Sequence, residues 1–227
     1  MIRVVIAGTG RMGQAVAAGV ESQDDMELAG LWGRGGDLDA LVRDADVVID
    51  FSLPDGTMEV LRAVAEHGIP LVCGVSGLDD AQMAQLAAVA ARVPLVYDRN
   101  MSLGVTVLEH SVREAARSLG MGFEVEISEV HHVHKQDAPS GTALKLGEAV
   151  AAARGEPGTG SVRFRSERRG EVPGDHDVVM RSPTETLTFA HSVTTRQVFA
   201  DGAIRAARWI GGRPAGRYGM RDVLFGS

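Results

Sequence analysis

Short runs of apolar, β-branched residues alternate with helical patterns between Ile2 and Tyr97. The runs are continuous rather than alternating in polarity, which is typical of parallel strands buried on both faces. The predicted strands are Ile2–Ala7, Met26–Trp32, Ala45–Phe51, Ile69–Cys73 and Pro94–Tyr97. The predicted helices are Arg11–Val20, a weak Leu38–Arg43, Asp55–His67 with Gly68 as its stop, and Asp79–Ala91. Strand–helix alternation with short connections predicts an α/β fold with a Rossmann-type doubly wound parallel sheet.

The pattern changes after about Ser102. Polar and apolar residues alternate in the next predicted strand, and a glycine- and arginine-rich stretch covers residues 155–176. The predicted elements here are a helix Leu103–Leu119, a strand Phe123–His132, a helix Thr142–Ala153, strands near His176–Arg181 and Thr184–Val193, and a helix Gln197–Ile210 that Thr195 could cap. We expect an α+β region with an antiparallel or mixed sheet and helices on one side, and a single domain break near Ser102.

Composition excludes several classes of protein. The 227 residues carry a formal charge of −7, so the chain has no bulk attraction to nucleic acid or to an anionic membrane. The single cysteine, Cys73, permits no intrachain disulfide and fits a reducing compartment. No apolar run approaches the ~20 residues of a spanning helix. We therefore expect a cytoplasmic protein whose partners are small molecules.

A glycine-rich turn follows the first predicted strand and opens the first predicted helix. Residues 8–13 read G-T-G-R-M-G, which fits G-x-G-x-x-G in the context that gives this motif meaning. The first glycine permits the tight turn, the second lets the backbone approach a pyrophosphate, and the third lets helix and strand pack closely. The predicted dinucleotide contacts are Gly8, Thr9, Gly10, Arg11, Met12 and Gly13. A turn that uses its glycines only for shape is the alternative.

The end of the second predicted strand bears on the choice of cofactor. Dinucleotide sites often place an acid there to hold the ribose 2′-hydroxyl. This chain instead reads L-W-G-R-G-G over residues 31–36, so Arg34 stands in that region and no carboxylate does. Because a guanidinium suits a 2′-phosphate, we expect NADPH to be preferred, with NADH possible. Arg34 could also be a solvent-facing loop residue.

The most polar cluster is E-V-H-H-V-H-K-Q-D-A-P-S-G-T-A, from Glu129 to Ala143. Strand alternation would put His132 and His134 on one face, with His131 on the other. Three histidines could bind zinc, but no H-E-x-x-H is present and the one cysteine is distant in sequence, so we expect no metal. Histidines on a strand edge beside a well-capped helix are a second alternative.

A catalytic interpretation explains more of this cluster. Asp137 or Ser140 can cap the helix that follows, which leaves the N–H groups of Gly141 and Thr142 to bind an anion such as a carboxylate. Lys135 adds a positive charge, and a histidine can exchange a proton near neutral pH. Together these residues predict a site where an acidic small molecule is protonated.

The same cluster resembles the signature E-x-H-H-x-x-K-x-D-x-P-S-G-T-A of the dihydrodipicolinate reductase family. Further segments of similarity are spread along the chain: AGTGRMG, VIDFSLPDGT, GVSGL, NMSLGV, GDH at 174–176, TTRQVFADGA and GMRDVL. The resemblance implies NAD(P)H-dependent reduction of 4-hydroxy-tetrahydrodipicolinate to tetrahydrodipicolinate, a step of lysine and diaminopimelate synthesis. It implies a dinucleotide-binding domain of residues 1–102 and 196–227, a substrate-binding and oligomerisation domain of residues 103–195, and a homotetramer.

The resemblance also implies roles for individual residues. His131 matches an acid/base histidine, Lys135 a proton-donating lysine and His132 a substrate contact, while Ser140, Gly141 and Thr142 match a turn that holds a substrate carboxylate. Further cofactor contacts are implied at Gly74, Val75 and Ser76 and at Asp98, Arg99, Asn100 and Met101. Whether His131 or Lys135 delivers the proton stays open.

This chain departs from the family pattern in three places. The glycine loop is one residue shorter, Gly33 stands where an acid is expected, and the region 163–174 is shortened, with Arg168 or Arg169 and Gly170 keeping its end. Two alternatives remain open. One is a two-domain NAD(P)H oxidoreductase acting on another cyclic imine or keto acid. The other is a cofactor-binding regulator without turnover, against which the pair His131 and Lys135 weighs.

Overall fold

The structure, a computed structural model, describes residues 1–226, so Ser227 at the end of the expected first domain lies outside the described residues. The chain divides into two compact units. The first contains residues 1–103 and the carboxyl-terminal segment from Arg196, and the second contains residues 104–195. The single break that the periodicity predicts near Ser102 is therefore wrong, because the chain returns to the first unit.

The first unit is built on a six-stranded parallel sheet in the order β10-β5-β4-β3-β1-β2. Its strands are β1 (Ile2–Ala7), β2 (Met26–Trp32), β3 (Val47–Asp50), β4 (Leu71–Cys73), β5 (Pro94–Tyr97) and β10 (Gly216–Tyr218). Its helices are α1 (Arg11–Glu21), α2 (Leu38–Val42), α3 (Pro54–His67), α4 (Asp80–Ala90), α7 (Gln197–Ile210) and α8 (Met220–Phe225). The predicted Rossmann-type doubly wound sheet is confirmed.

Both faces of this sheet are apolar, which explains the unbroken hydrophobic runs in the sequence. Val5 and Ala7 of β1 belong to a core with α2, α3 and α4. Val4 and Ile6, on the opposite face, belong to a core with α1, α7 and α8. Successive strand residues point to opposite faces, so a strand that is covered on both sides needs apolar residues at every position.

The second unit has a four-stranded mixed sheet in the order β7-β6-β8-β9. Its strands are β6 (Glu124–His131), β7 (Val162–Arg168), β8 (Asp175–Arg181) and β9 (Thr186–His191). Strands β6 and β7 are parallel, whereas β8 is antiparallel to both β6 and β9. Helices α5 (Leu103–Leu119) and α6 (Gly141–Arg154) pack on it through Leu108, Val112, Leu146 and Val150, and a short 3₁₀ helix covers Gly120–Gly122. The expected mixed α+β architecture is confirmed.

Several local predictions are wrong. Strand β7, within the glycine- and arginine-rich stretch, was not predicted, although Val162 and Phe164 alternate with the exposed Arg163 and Arg165. Strand β10 and helix α8 were not predicted, because each is very short. Thr195 does not cap α7: the cap position is Arg196, which already has helical φ and ψ angles and makes no side-chain cap. Within the described residues no helix is long and apolar enough to cross a membrane.

Candidate active site

The glycine turn lies at a topological switch point of the first sheet. Strand β1 has β2 on one side and β3 on the other, so the connections leaving β1 and β3 diverge at their carboxyl ends. Parallel sheets bind ligands at such points. A pocket of about 530 Å³ opens there, and its lining comes from the ends of β1, β2 and β3 and from the start of α3. The lining residues are Gly8, Thr9, Gly10, Trp32, Gly33, Arg34, Phe51, Ser52, Leu53, Asp55, Gly56 and Glu59.

Close backbone approach requires glycine at two positions of the turn, Gly8 and Gly13. Gly8 has a φ of +113°, and a Cβ there would lie 2.5 Å from the carbonyl oxygen of Phe51. A Cβ on Gly13 would lie 1.7 Å from the carbonyl oxygen of Gly8. Helix α1 can therefore start this close to β1 only if residue 13 is glycine. Gly10 is the N-cap of α1, makes no side-chain cap and has open space around it. The free N–H groups at the start of α1 therefore suit a pyrophosphate.

Arg34 lines the pocket, as its position after β2 requires. Within residues 1–226 its side chain makes no hydrogen bond or ion pair, and it is exposed. A Cβ on Gly33 would lie 2.8 Å from Cγ2 of Thr9, so Thr9 fills the space beside the position where related sites carry an acid. The carboxylates of Asp55 and Glu59, on α3, also line the pocket. The charges that a ribose would meet therefore come from Arg34 and from α3.

The other predicted cofactor residues follow β4 and β5 at the same edge of the sheet. Gly74 packs against the ring of Phe51: a Cβ added at residue 74 would lie 2.4 Å from Cε1 of Phe51. Val75 is buried and Ser76 exposed. Asn100 donates its backbone N–H to Oδ1 of Asp98 at 3.3 Å. The remaining predicted residues divide by burial: Arg11 and Arg99 are exposed, whereas Met12 and Met101 contribute to the hydrophobic core.

In the second unit the histidine cluster begins at the end of β6. The strand ends at His131, so the predicted face alternation beyond that residue is wrong. His132 is half-buried, and the turn that follows leaves His134 exposed. His131 is buried, with only 7% of its surface accessible. Of these three histidines, only His131 is buried.

Glu129 is the buried centre of this site. Its carboxylate accepts a short hydrogen bond from Nδ1 of His131 and one from the backbone N–H of Ser140 at 3.3 Å. Nη1 of Arg168 donates to both carboxylate oxygens, at 3.0 and 2.9 Å. Burial alone would raise the pKa of Glu129, but hydrogen bonds from His131, Ser166 and Arg168 outweigh it and hold the pKa below its ordinary value. Glu129 is therefore ionised at neutral pH.

Arg168 also fixes the loop that carries Lys135. Its Nε donates to the carbonyl oxygen of Lys135 at 3.3 Å, and its Nη2 donates to the carbonyl oxygen of Asp137. Nζ of Lys135 lies 2.7 Å from Oδ1 of Asp137, and the Lys135 side chain is 23% exposed. The pKa of Asp137 is lowered because the hydrogen bond and charge of Lys135 outweigh its partial burial. Lys135 is thus held beside the end of β6 yet can be reached by solvent.

Ser140 begins helix α6, as predicted. Its hydroxyl accepts the backbone N–H of Ala143 at 3.2 Å, and it lies 3.3 Å from Nε2 of His176 on β8. Gly141 is exposed and Thr142 half-buried, so the predicted carboxylate-binding turn lies at an accessible helix N-terminus. Asp137, the other predicted cap, pairs with Lys135, and its carboxylate also accepts a hydrogen bond from the backbone N–H of Gly141. Ser140 is therefore the N-cap of α6, and anion binding by the turn stays a prediction.

The two buried histidines have depressed pKa values. Burial lowers the pKa of His176 to about 4, and the neighbouring His131 adds to that shift. Burial also lowers the pKa of His131, against the raising effect of Glu129. Their rings meet edge to face with centroids 5.1 Å apart. Both imidazoles are therefore neutral in the resting site at neutral pH.

Within residues 1–226 no three His, Cys, Asp or Glu side chains form a group that could hold a metal ion. Sequence reasoning missed Glu129, Arg168 and His176 as site residues, although all three lie in segments it quoted. For Glu129 a signal existed: strand alternation places residues 129 and 131 on one face, and a charged residue on a core-facing position needs a partner.

Two family models match nearly the whole chain. The model described as "Dihydrodipicolinate reductase, N-terminus" matches residues 2–101, and the one described as "Dihydrodipicolinate reductase, C-terminus" matches residues 104–224. Among curated proteins, the 4-hydroxy-tetrahydrodipicolinate reductase of Thiobacillus denitrificans is 38% identical in an alignment 262 positions long, which covers 98% of each chain. That of Xanthomonas campestris pv. campestris is 47% identical over 180 residues, covering 79% of this chain and 73% of the other.

Solved structures share the fold. The dipicolinate-bound dihydrodipicolinate reductase from Paenisporosarcina sp. TG-14 superposes with a TM-score of 0.84 at 22% identity, covering 99% of both chains. The DAP dehydrogenase of C. glutamicum, in complex with DAP, gives a TM-score of 0.59 at 14% identity over 97% of this chain and 93% of the other. At these identities the likeness bears on the architecture alone.

Proposed function

This chain belongs to the dihydrodipicolinate reductase family, and we propose that it catalyses the NAD(P)H-dependent reduction of 4-hydroxy-tetrahydrodipicolinate to tetrahydrodipicolinate. That reaction is the reduction step of lysine and diaminopimelate biosynthesis. The observation that carries the proposal is the cluster in the second unit, where His131, Lys135 and the N-terminus of α6 converge around buried Glu129. A lysine, an imidazole and a helix N-terminus are groups that can bind a dicarboxylate and protonate it.

The first unit supplies the cofactor site. NAD(P)H, when bound, supplies the hydride for the reduction. Gly8 and Gly10 have no side chains, so the pyrophosphate would lie directly against their backbone. The N–H groups at the start of α1 would donate to that anion. Arg34, which has no protein partner within the described residues, is placed to pair with a 2′-phosphate. We therefore propose that NADPH is preferred and that NADH also serves. Gly74–Ser76 and Asp98–Met101 remain predicted contacts.

The second unit binds the dicarboxylate. One carboxylate would bind at the N-terminus of α6, to Ser140, Gly141 and Thr142. The Ser140 hydroxyl caps this terminus by accepting the backbone N–H of Ala143. Lys135 would neutralise charge that develops on the substrate as it accepts the hydride, and His132 would add a further contact. A fixed set of donors stabilises developing charge without reorganising at the moment of reaction.

Two groups can complete the protonation. Lys135 is an ammonium within reach of solvent, and its ion pair with Asp137 holds it at the site. His131 is neutral in the resting site because burial lowers its pKa, so it can accept a proton on Nε2 and pass it on. We propose that Lys135 protonates the substrate and that His131 relays protons to Lys135.

The test is oxidation of NADPH and NADH by the full chain. The substrate is made freshly from pyruvate and aspartate semialdehyde by the preceding synthase, and loss of reduced nicotinamide is followed by absorbance. We expect turnover by the wild type and a loss of about a hundredfold or more in Lys135→Ala. Lys145→Ala is the matched control, because Lys145 pairs with Glu109 on the helices of the second unit. It should keep wild-type activity.

No turnover by the wild type with either cofactor would overturn the proposal and direct the search to other cyclic imines and keto acids. Equal losses in Lys135→Ala and Lys145→Ala would contradict the role of Lys135. The homotetramer and the cytoplasmic location implied by the resemblance remain predictions; light scattering of the full chain measures the first.

A further inference from the structure

We infer that Glu129 is a positioning residue, which holds the ring of His131 with its proton on Nδ1 and so leaves Nε2 to exchange protons. The inference rests on the proposed function, in which His131 relays protons. It adds a residue that the sequence pattern did not assign to the site.

The geometry begins with strand β6. Glu129 and His131 are two residues apart on this strand, so their side chains leave it on the same buried face. The Glu129 side chain has no accessible surface, and its carboxylate meets Nδ1 of His131 directly. An ionised carboxylate can only accept hydrogen bonds. The shared hydrogen must therefore be on Nδ1, and the tautomer of the neutral ring follows from the contact.

The carboxylate is kept ionised by partners on two other segments. Arg168, on β7, donates to both of its oxygens, and the backbone N–H of Ser140 donates from the start of α6. These contacts hold the carboxylate in one orientation, and through it they hold the plane of the imidazole. The same guanidinium donates to the carbonyl oxygen of Lys135. One buried carboxylate therefore connects the imidazole with the lysine loop and the anion-binding turn.

The other nitrogen of the ring, Nε2, makes no hydrogen bond or ion pair within the described residues. Nε2 of His131 lies beside Gly174, where a Cβ would come within 2.8 Å. The charged and titratable groups that face the ring are Glu129 on its own strand, Lys135 on the following loop, Arg168 on β7 and His176 on β8. Glu129 favours the imidazolium, whereas Lys135 and Arg168 disfavour it. These opposite effects make the contribution of Glu129 measurable.

The first measurement is made on the wild-type chain without ligand. Histidine is labelled with ¹⁵N, and the His131 resonances among the seven histidines are assigned by their loss in His131→Gln. Above the pKa of His131 we expect the proton on Nδ1 and a free lone pair on Nε2. A ring protonated on Nε2, or an even mixture of tautomers, would overturn the inference. This result needs neither substrate nor a folded variant at Glu129.

The second measurement compares variants that should shift the pKa of His131 in opposite directions. Glu129→Gln keeps the shape and removes the charge, so the pKa of His131 should fall. Arg168→Gln removes a cation that faces the ring, so the pKa should rise. Glu126→Gln, three residues earlier on the same strand, is the control and should leave it unchanged. A general loosening of the site would not give opposite shifts, and equal or absent shifts would contradict the role of Glu129.

Activity then links positioning to turnover. In Glu129→Gln we expect kcat to fall about a hundredfold, with a smaller change in KM and an acidic limb of the pH profile displaced to lower pH. Unchanged kcat in a folded Glu129→Gln variant would overturn the inference. If the wild type turns over no substrate, the proposed function fails while the imidazole measurements still decide whether Glu129 positions His131.

Discussion

Gly174 lies directly against the ring of His131, so that a Cβ at 174 would stand 2.8 Å from Nε2 and 3.2 Å from Cδ2. The backbone there has a φ of +151°, which L side chains rarely adopt. Two independent constraints therefore select glycine at this position. The contact also explains how a buried imidazole keeps one nitrogen open, because the wall beside Nε2 has no side chain.

Gly174→Ala should lose at least about tenfold in kcat/KM, because the methyl group occupies the space beside Nε2 and displaces the ring. Gly170→Ala is the matched control, since Gly170 also has a positive φ, +51°, but nothing lies within 4 Å of its Cβ position. That control should lose only about 1 kcal/mol of stability, with near-normal kcat/KM. Steady-state kinetics and urea unfolding of both variants check this. Equal kinetic losses would point to backbone strain as the cause.

Ser140→Ala separates a helix cap from a binding role. The loss of its bond to Ala143 should cost about 1 kcal/mol in the free energy of unfolding. Asp79→Ala removes the capping box of α4, in the first unit, and should cost a similar amount. We expect KM for the substrate to rise only in Ser140→Ala. A rise of the same size in Asp79→Ala would show that lost stability, and not the lost hydroxyl, raises KM.

His176 should make the protein less stable in mild acid. Burial depresses its pKa from the ordinary 6.5 to about 4, so between these values the unfolded chain binds a proton that the folded chain does not. Its stabilising contribution is complete above pH 6.5 and is lost as the pH falls through about 4. The loss amounts to about 3 kcal/mol.

The check is the free energy of unfolding of wild type and His176→Gln across this pH range. The difference between the two should change sharply with pH, because glutamine does not titrate. His134→Gln is the control: its side chain is 74% exposed, and its pH dependence should match that of the wild type. Parallel curves for wild type and His176→Gln would contradict the prediction.

Arg34→Ala tests cofactor preference. If the guanidinium pairs with a 2′-phosphate, kcat/KM with NADPH should fall about tenfold or more, because charge-assisted hydrogen bonds contribute about 1.5–3 kcal/mol. The value with NADH should change little. Arg43→Ala, at the end of α2 and outside the pocket lining, is the control. A wild type that strongly prefers NADH, or equal losses with both cofactors in Arg34→Ala, would count against this role.

The sequence predicted the first unit well because its signals are local. Residues 4–7 are apolar at every position, and the structure buries them on both faces of the sheet. Gly68 ends α3 in the left-handed conformation, as a glycine after a helix usually does. Ser140 caps α6 because its hydroxyl needs only the backbone three residues on. Each of these features depends on neighbours within a few positions.

The errors have a physical reason too. Thr195 looks like a cap, yet α7 begins after Arg196, whose backbone is already helical and whose side chain makes no cap. Strand β7 was missed because its pairing with β6, and not its own apolar content, makes it a strand. The face alternation of the histidines failed because β6 ends at His131.

The sequence by itself determined the parallel sheet, the glycine turn, and the motif that places His131, Lys135 and Ser140 in one segment. Hydrophobic period, glycine spacing and capping act over a few residues, so they can be read along the chain. Only the tertiary structure decided that β7 brings Arg168 to Glu129 and that β8 brings His176 and Gly174 to the same place. Those contacts join residues 36 to 43 positions apart, because strand pairing, and not sequence distance, sets which side chains meet in a buried site.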